Sequence, residues 1–537
     1  MESFAETKGQ GRRVLQTRTG CARGVGVLLG LALMVLIAPS QQGLAQVMPW
    51  SEDLRSQLLA DLHFHAAGQL LDSVLADLPI YQVALRVRSE TSFTGSTGVL
   101  YTNRSSEVLH EIPLRVIPNV MGGHAMICSA SIGTEPVQCK ADENDPSIVW
   151  FPLRTPLGPS QKELLEFDFE VTLPTANSIV DRRFSSVIGL LNAAWTIPTV
   201  ARRDESGWDL RPGGELGEPY WGELGLYLVE FDIPQGYKIF ASGIEQRDAR
   251  RTLGDTETRR FIAGPIEDFF WAGSYRWDVI VESAGAVQLA CHAFGGESRK
   301  AAAFVYYAKQ AILTLSERLC AYPRRHLDLL MEPGFVSGVA GVMHPGVVAV
   351  YSVVFDQPHW GNLGMLPFEH SMEAEAVVVH EIAHQWVGEY ASSDPVEEPW
   401  LGTMLAQLAT WLYFGERYGI MGHGGFEASL EEGVKWLEAS LGISIAPHTP
   451  PSLYLDDNSA HGGVAHYLAP LVLWNSVESQ QPADAPLGEL RREMWSLLAA
   501  FVVQNAWSDF TSEDFLRFLE EAVGDAARQS FEAWLSP

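Results

Sequence analysis

The stretch Val377-Val378-Val379-His380-Glu381-Ile382-Ala383-His384-Gln385-Trp386-Val387 restricts the folding of this chain more than any other. Two histidines four residues apart stack on one face of a helix, so their imidazoles can share one metal ion. Glu381 then lies beside that ion, placed to take a proton from a bound water. Apolar side chains surround these three groups on nearly every side, and a helix that is apolar all round is a buried one. Buried imidazoles and a buried carboxylate need partners, and a metal is the commonest that serves all three. In a chain of this composition the pattern arises by chance only roughly a few times in a hundred. The sequence therefore demands a core helix with a polar site built into it.

The length of 537 residues allows two or three domains with substantial cores. With 37 basic and 66 acidic residues the formal charge is −29, a surface that repels phosphate backbones and excludes nucleic acid as a partner. Residues 1–45 read as an export signal. Lys8, Arg12, Arg13, Arg18 and Arg23 form a basic leader, Gly24 to Ala38 an apolar run, and Gly43-Leu44-Ala45 a small-residue cleavage site. That run is shorter than the ~20 residues of a transmembrane span, which favours a cleaved signal over a membrane anchor. Export in turn suggests disulfides among Cys128, Cys139, Cys291 and Cys320, and the short spacing favours Cys128 with Cys139.

Leu54, Leu58, Leu62, Leu70, Val74 and Leu78 recur at helical spacing, predicting an amphipathic helix within residues 46–80. His63 and His65 lie in it but two apart, on different faces. Residues 81–287 change to short runs broken by Gly, Pro, Asn and Asp. The clearest is Leu165-Glu166-Phe167-Asp168-Phe169-Glu170-Val171, which alternates strictly; together they predict an all-β sandwich or barrel-like domain. Across 288–537 the periodicity becomes helical, with a long helix over 301–322 and strands over 327–331 and 346–351. Ser512-Glu513-Asp514 reads as the cap of a last helix carrying Phe515, Phe518 and Leu519.

With these residues in place, the chain resembles the zinc aminopeptidase family of gluzincins, whose best-known member is membrane alanyl aminopeptidase. Val379 to Gly388 is similar to that family's zinc helix, including the pair Gln385-Trp386. Asp394-Pro395 and Glu398-Pro399-Trp400-Leu401 match the approach to its second zinc-binding helix. Asp268-Phe269-Phe270-Trp271-Ala272 and Tyr322-Pro323 resemble further landmarks. The resemblance implies a multidomain β plus α/β (mostly α) fold, in which a saddle-like β-sandwich N-terminal domain precedes a thermolysin-like catalytic domain. It also implies zinc held by His380 and His384, with water activated by Glu381. The family's later accessory domains are expected to be absent.

The departures fall at the chemistry. The resemblance puts the third zinc ligand, a glutamate, where Thr403 stands, and a threonine hydroxyl is a weak neutral donor. The strand that would bind the free amine of a peptide is Gly341-Val342-Met343-His344-Pro345-Gly346. Its amine-binding glutamate is replaced by His344 or by Met343, depending on the alignment. The tyrosine that would stabilise an oxyanion matches Tyr467, with His466 as the alternative. Two readings stay open. One is an active zinc peptidase with a substitute ligand, for which Gln407 and His344 are candidates. The other is a protein of impaired or absent activity, with zinc weak or lost, that uses the scaffold to bind a peptide or protein. The sequence leaves oligomeric state open.

Overall fold

The alternation over Leu165–Val171 becomes one strand of a large sheet. In the computed structural model the described residues are 56–58, 62, 75–175, 182–212, 218–333, 340–356, 370–441 and 462–535. The sheet contains β1 (Ile80–Val87), β2 (Ser92–Thr102), β3 (His124–Ile132), β4 (Lys162–Thr172), β5 (Gly225–Pro234) and β6 (Thr256–Ile266). Their order is β6-β5-β1-β2-β4-β3, antiparallel except where β1 runs parallel to β5. Leu165, Phe167, Phe169 and Val171 are buried on one face, each contributing roughly 1.5–3 kcal/mol of burial. Gly95 lies opposite Phe169 on β2, and a Cβ there would stand 2.2 Å from the phenylalanine ring. Two four-stranded sheets and a short two-stranded ribbon complete the β region, and the three larger sheets share one core around Tyr81, Phe231 and Trp271.

A second, five-stranded sheet holds β7 (Trp277–Ala284), β8 (Val287–Phe294), β9 (His326–Glu332), β10 (Gly341–His344) and β11 (Val347–Tyr351), in the order β7-β8-β9-β11-β10. Helix α1 (Ser298–Arg318) packs on β7 and β8. Helix α2 (His370–Ala383) packs on β10 and β11; it carries His380 and ends just before His384. The helical segment α3 (Pro399–Leu441) is broken at Gly419, whose φ of 66° interrupts the helix. A π-helical turn, Val464–Leu468, leads into α4 (Ala469–Glu478), and α5 (Leu487–Gln504), α6 (Ser512–Ala522) and α7 (Asp525–Leu535) follow. The two regions share core residues, since Trp277, Phe294, Leu330, Val347 and Ala349 join the cluster of the β region. The fold is thus a mixed β region followed by a sheet with helices, as expected from the change of periodicity.

Three expectations need correcting. At Leu62 the chain forms a β-bridge with Arg324, so one continuous amphipathic helix does not run through that residue. Leu58, Leu62 and Leu78 are nonetheless buried, while Leu54, His63, His65, Leu70 and Val74 lie outside the described residues. The four described cysteines are free thiols. Cys128 sits at a bulge of the large sheet with its thiol over Met126 O, whereas Cys139 directly precedes Lys140–Ala141, which pairs in a different sheet. Finally, the cap of α6 is Thr511, one residue ahead of the position read from sequence. Its hydroxyl accepts from the Asp514 amide, and the Asp514 carboxylate accepts from the Thr511 amide, the two halves of a capping box. The export signal expected over 1–45 lies outside the described residues, among which no helix is long and apolar enough to cross a membrane.

Candidate functional site: a buried histidine pair

Helix α2 brings His380, Glu381 and His384 into the interior, where His380 is 7% exposed and Glu381 9%. His380 Nε2 and His384 Nε2 face each other at 3.1 Å. Two imidazoles on one tetrahedral ion at ordinary zinc–nitrogen distances stand about 3.3 Å apart, so this half of a zinc site has the right span. The chain just beyond the helix fixes the second ring. Gly388 adopts φ 141°, and His384 Nδ1 donates to Val387 O at 3.1 Å, leaving Nε2 as the acceptor. Burial pushes His380 well below the usual imidazole range and His384 down to about 4, so both rings are neutral at physiological pH. Burial also pushes the Glu381 carboxyl up to about 8, against a pull from the Arg183 guanidinium. The Glu381 side chain packs against Gly341, where a Cβ would stand 2.8 Å from Glu381 Cγ.

Thr403 donates its hydroxyl to Pro399 O one turn back on its own helix, at 3.1 Å. One turn further on, Gln407 is 3% exposed and in hydrogen-bonding contact with His380. The π-helical turn sets the His466 ring 4.9 Å from that of His380, and π turns of this kind often occur at functional positions. His466 Nδ1 donates to Gly462 O at 2.6 Å. Tyr467, preferred from sequence for the oxyanion role, is buried with its ring against Gly433 of α3. Among the described residues, no group of three or more His, Cys, Asp or Glu side chains is arranged to hold a metal ion. Among the described residues the donor set thus offers two imidazoles in place and no third anionic ligand, and these residues alone do not fit a resident zinc.

The strand β10 lies beside Glu381 and is held there by a residue that sequence reading quoted only as part of a motif. Gln385 donates to His344 O at 2.8 Å and to Val347 O at 3.3 Å. Its carbonyl oxygen accepts from the Gly346 amide at 3.1 Å and from Tyr322 at 3.0 Å. The His344 ring stacks on Phe270 at 4.1 Å, and burial, with Arg183 nearby, keeps it neutral. Val342 and Met343 are half-buried on the same strand. The motif residues Phe270 and Tyr322 thus meet the strand and helix directly. Arg183 carried no local signal, because its neighbours here come from distant parts of the chain.

No protein-family model matches this chain, and no curated protein does. Solved structures do. A mutant of an M1 zinc metallopeptidase from Deinococcus radiodurans superposes with a TM-score of 0.59 at 15% identity, covering 86% of this chain and 94% of that one. The chain shares the fold of these metallopeptidases. A second structure of the Deinococcus protein gives a TM-score of 0.58 at 14% identity, covering 86% of this chain and 93% of that one. A mutant bound to a Tyr-Ser-Ala substrate gives 0.59 at 14%, covering 86% and 94%. Coverage of this extent spans both the β region and the helical region, matching the two-domain architecture.

Proposed function

We propose that this chain is an exported peptidase-fold protein whose zinc-dependent hydrolysis is impaired, and whose cleft binds peptide without a resident metal. The observation that carries the reading is Thr403. Its neutral hydroxyl is turned onto Pro399 O, where a catalytic zinc site needs a third protein ligand. Replacement of the amine-binding glutamate by Met343 or His344 agrees with it. Peptide is the natural occupant because the matching fold holds a peptide substrate in a related structure. Export rests on residues 1–45 of the sequence.

A second reading, an active peptidase with a substitute ligand, is favoured by the His466 ring beside His380. Peptide hydrolysis separates the two. On the proposed reading, the purified chain with added zinc cleaves unblocked peptides no faster than the Glu381→Gln variant, both at the background rate. Turnover that Glu381→Gln abolishes would establish the second reading instead, because only a metal-activated water needs that carboxylate.

A further inference from the structure

Two sheets of the β region end at one cavity, each with an open edge. Strand β3 is the last long strand of the large sheet, and from His124 to Ala130 it pairs only with β4. The short strand Glu135–Pro136 joins it only at Ser131 and Ile132. Lys140–Ala141 is in turn the end strand of a four-stranded sheet, paired on one side with Ile148–Leu157. Between these edges lies a cavity of about 380 Å³, a size that suits a ligand site. Ala125, Ile127, Ala141 and Val149 supply its apolar lining.

The edge of β3 has hydrogen-bonding groups to offer there. The Ala125 amide turns away from β4 and donates to Asn119 Oδ1 at 2.7 Å. In an antiparallel strand the amide and carbonyl of one residue point to the same side, and the residue two along repeats it. Ile127 therefore presents both groups to the open edge, where no strand of the described residues pairs with them. A bulge between Ile127 and Ser129 ends this stretch, and beyond it Ala130 O already accepts from the Val137 amide at 2.9 Å. Such an edge is a template for one short added strand.

The charge of the cavity decides which strand fits. The carboxylates of Asp142 and Glu143 line it with His124, and no lysine or arginine does. Trp150 Nε1 donates to Asp142 Oδ2 at 2.9 Å and holds that carboxyl below the usual carboxylate range, so it stays ionised. Glu143 is exposed on a chain whose net charge is −29. An acidic strand meets like charges there, whereas a basic one is drawn in.

We propose that this cavity takes an extended basic peptide segment, alternating apolar with basic residues, which pairs with Ile127 as an added strand of the large sheet. Calorimetric titration of the full chain tests this with N-acetyl-Lys-Val-Lys-Val-Lys amide and its counterpart carrying Glu in place of Lys. The basic probe should bind at least about tenfold more tightly. Two further probes carry N-methyl groups on the valines or on the lysines. At least one of them should lose about tenfold in affinity, because an added strand turns alternate amides to the edge.

Glu143→Lys should weaken the basic probe about fivefold and flatten its salt dependence. Ile127→Pro should weaken it about tenfold, since proline removes an edge amide that the sheet itself does not use. If Ile127→Pro does not fold, Glu143→Lys and the N-methyl probes decide. Binding that neither substitution weakens places the probe elsewhere, in the histidine cleft or beyond, and overturns the proposal. Equal or tighter binding by the acidic probe overturns it, as does no binding of the basic one. Full affinity in both N-methyl probes also overturns it. A dimer of the chain alone that Ile127→Pro abolishes would assign the edge to a second copy instead.

Discussion

Thr403→Glu is expected to tighten zinc binding by more than about a hundredfold. Residues that merely orient a ligand are worth 10–100-fold in metal affinity, and here a ligand itself would be restored. Three features of the structure make the gain large. His380 and His384 already present Nε2 atoms at a spacing one ion can bridge. The Val387 carbonyl already fixes the tautomer of His384. Position 403 lies one helical turn before Gln407, which touches His380, so a longer side chain at 403 starts from the face that meets the pair. A carboxylate there would add both a bond and the negative charge a dication needs. Competition against a chromophoric chelator measures the change. An unchanged affinity would mean that α3 does not present residue 403 to the histidines, and the assignment of the missing ligand would fall.

Arg324→Met is expected to destabilise the fold by about 3–5 kcal/mol, the cost of leaving one member of a buried ion pair uncompensated. Arg324 is 1% exposed, and its Nε donates to Glu389 Oε1 at 3.0 Å. Its Nη2 donates to Pro265 O at 3.1 Å, so one side chain ties the β region to the turn just beyond the histidine helix. Glu389 also accepts from the Gly346 amide at 3.3 Å, at the turn between β10 and β11. Burial pushes its carboxyl upward and Arg324 pulls it back, so losing the guanidinium leaves an acid with no nearby cation of that strength. Pairing the change with Glu389→Gln should recover most of the loss, because removing both charges costs far less than removing one. Urea unfolding of the two variants measures this. A loss below about 1 kcal/mol for Arg324→Met would show that the pair is not structurally important.

The parts of this molecule that rest on local periodicity were legible from sequence. Strict alternation over 165–171 marks a half-buried strand whatever pairs with it, and β4 follows. The all-apolar surround of His380 and His384 marks a buried helix, and α2 follows. What depends on distant partners was not legible. The parallel pairing of β1 with β5 joins segments more than a hundred residues apart, and nothing in either strand names the other. Cys128 and Cys139 stay free thiols, one on a bulged strand and the other in the link between two sheets, an arrangement that spacing along the chain does not reveal. Around the site, Thr403 could be read from a motif, but Arg183 could not, because Trp195 and Glu218 are its neighbours only in space. The approach of His466 to His380 depends on a π turn, which no local pattern in 464–468 signals.

Elemental analysis of the purified chain tests most directly that this cleft does not hold a resident zinc. After dialysis against a weak chelator the protein should retain far less than one zinc per chain, with Thr403→Glu retaining about one under the same treatment. About one zinc per chain in the unaltered protein would contradict the account, and would require a third ligand that His380 and His384 share.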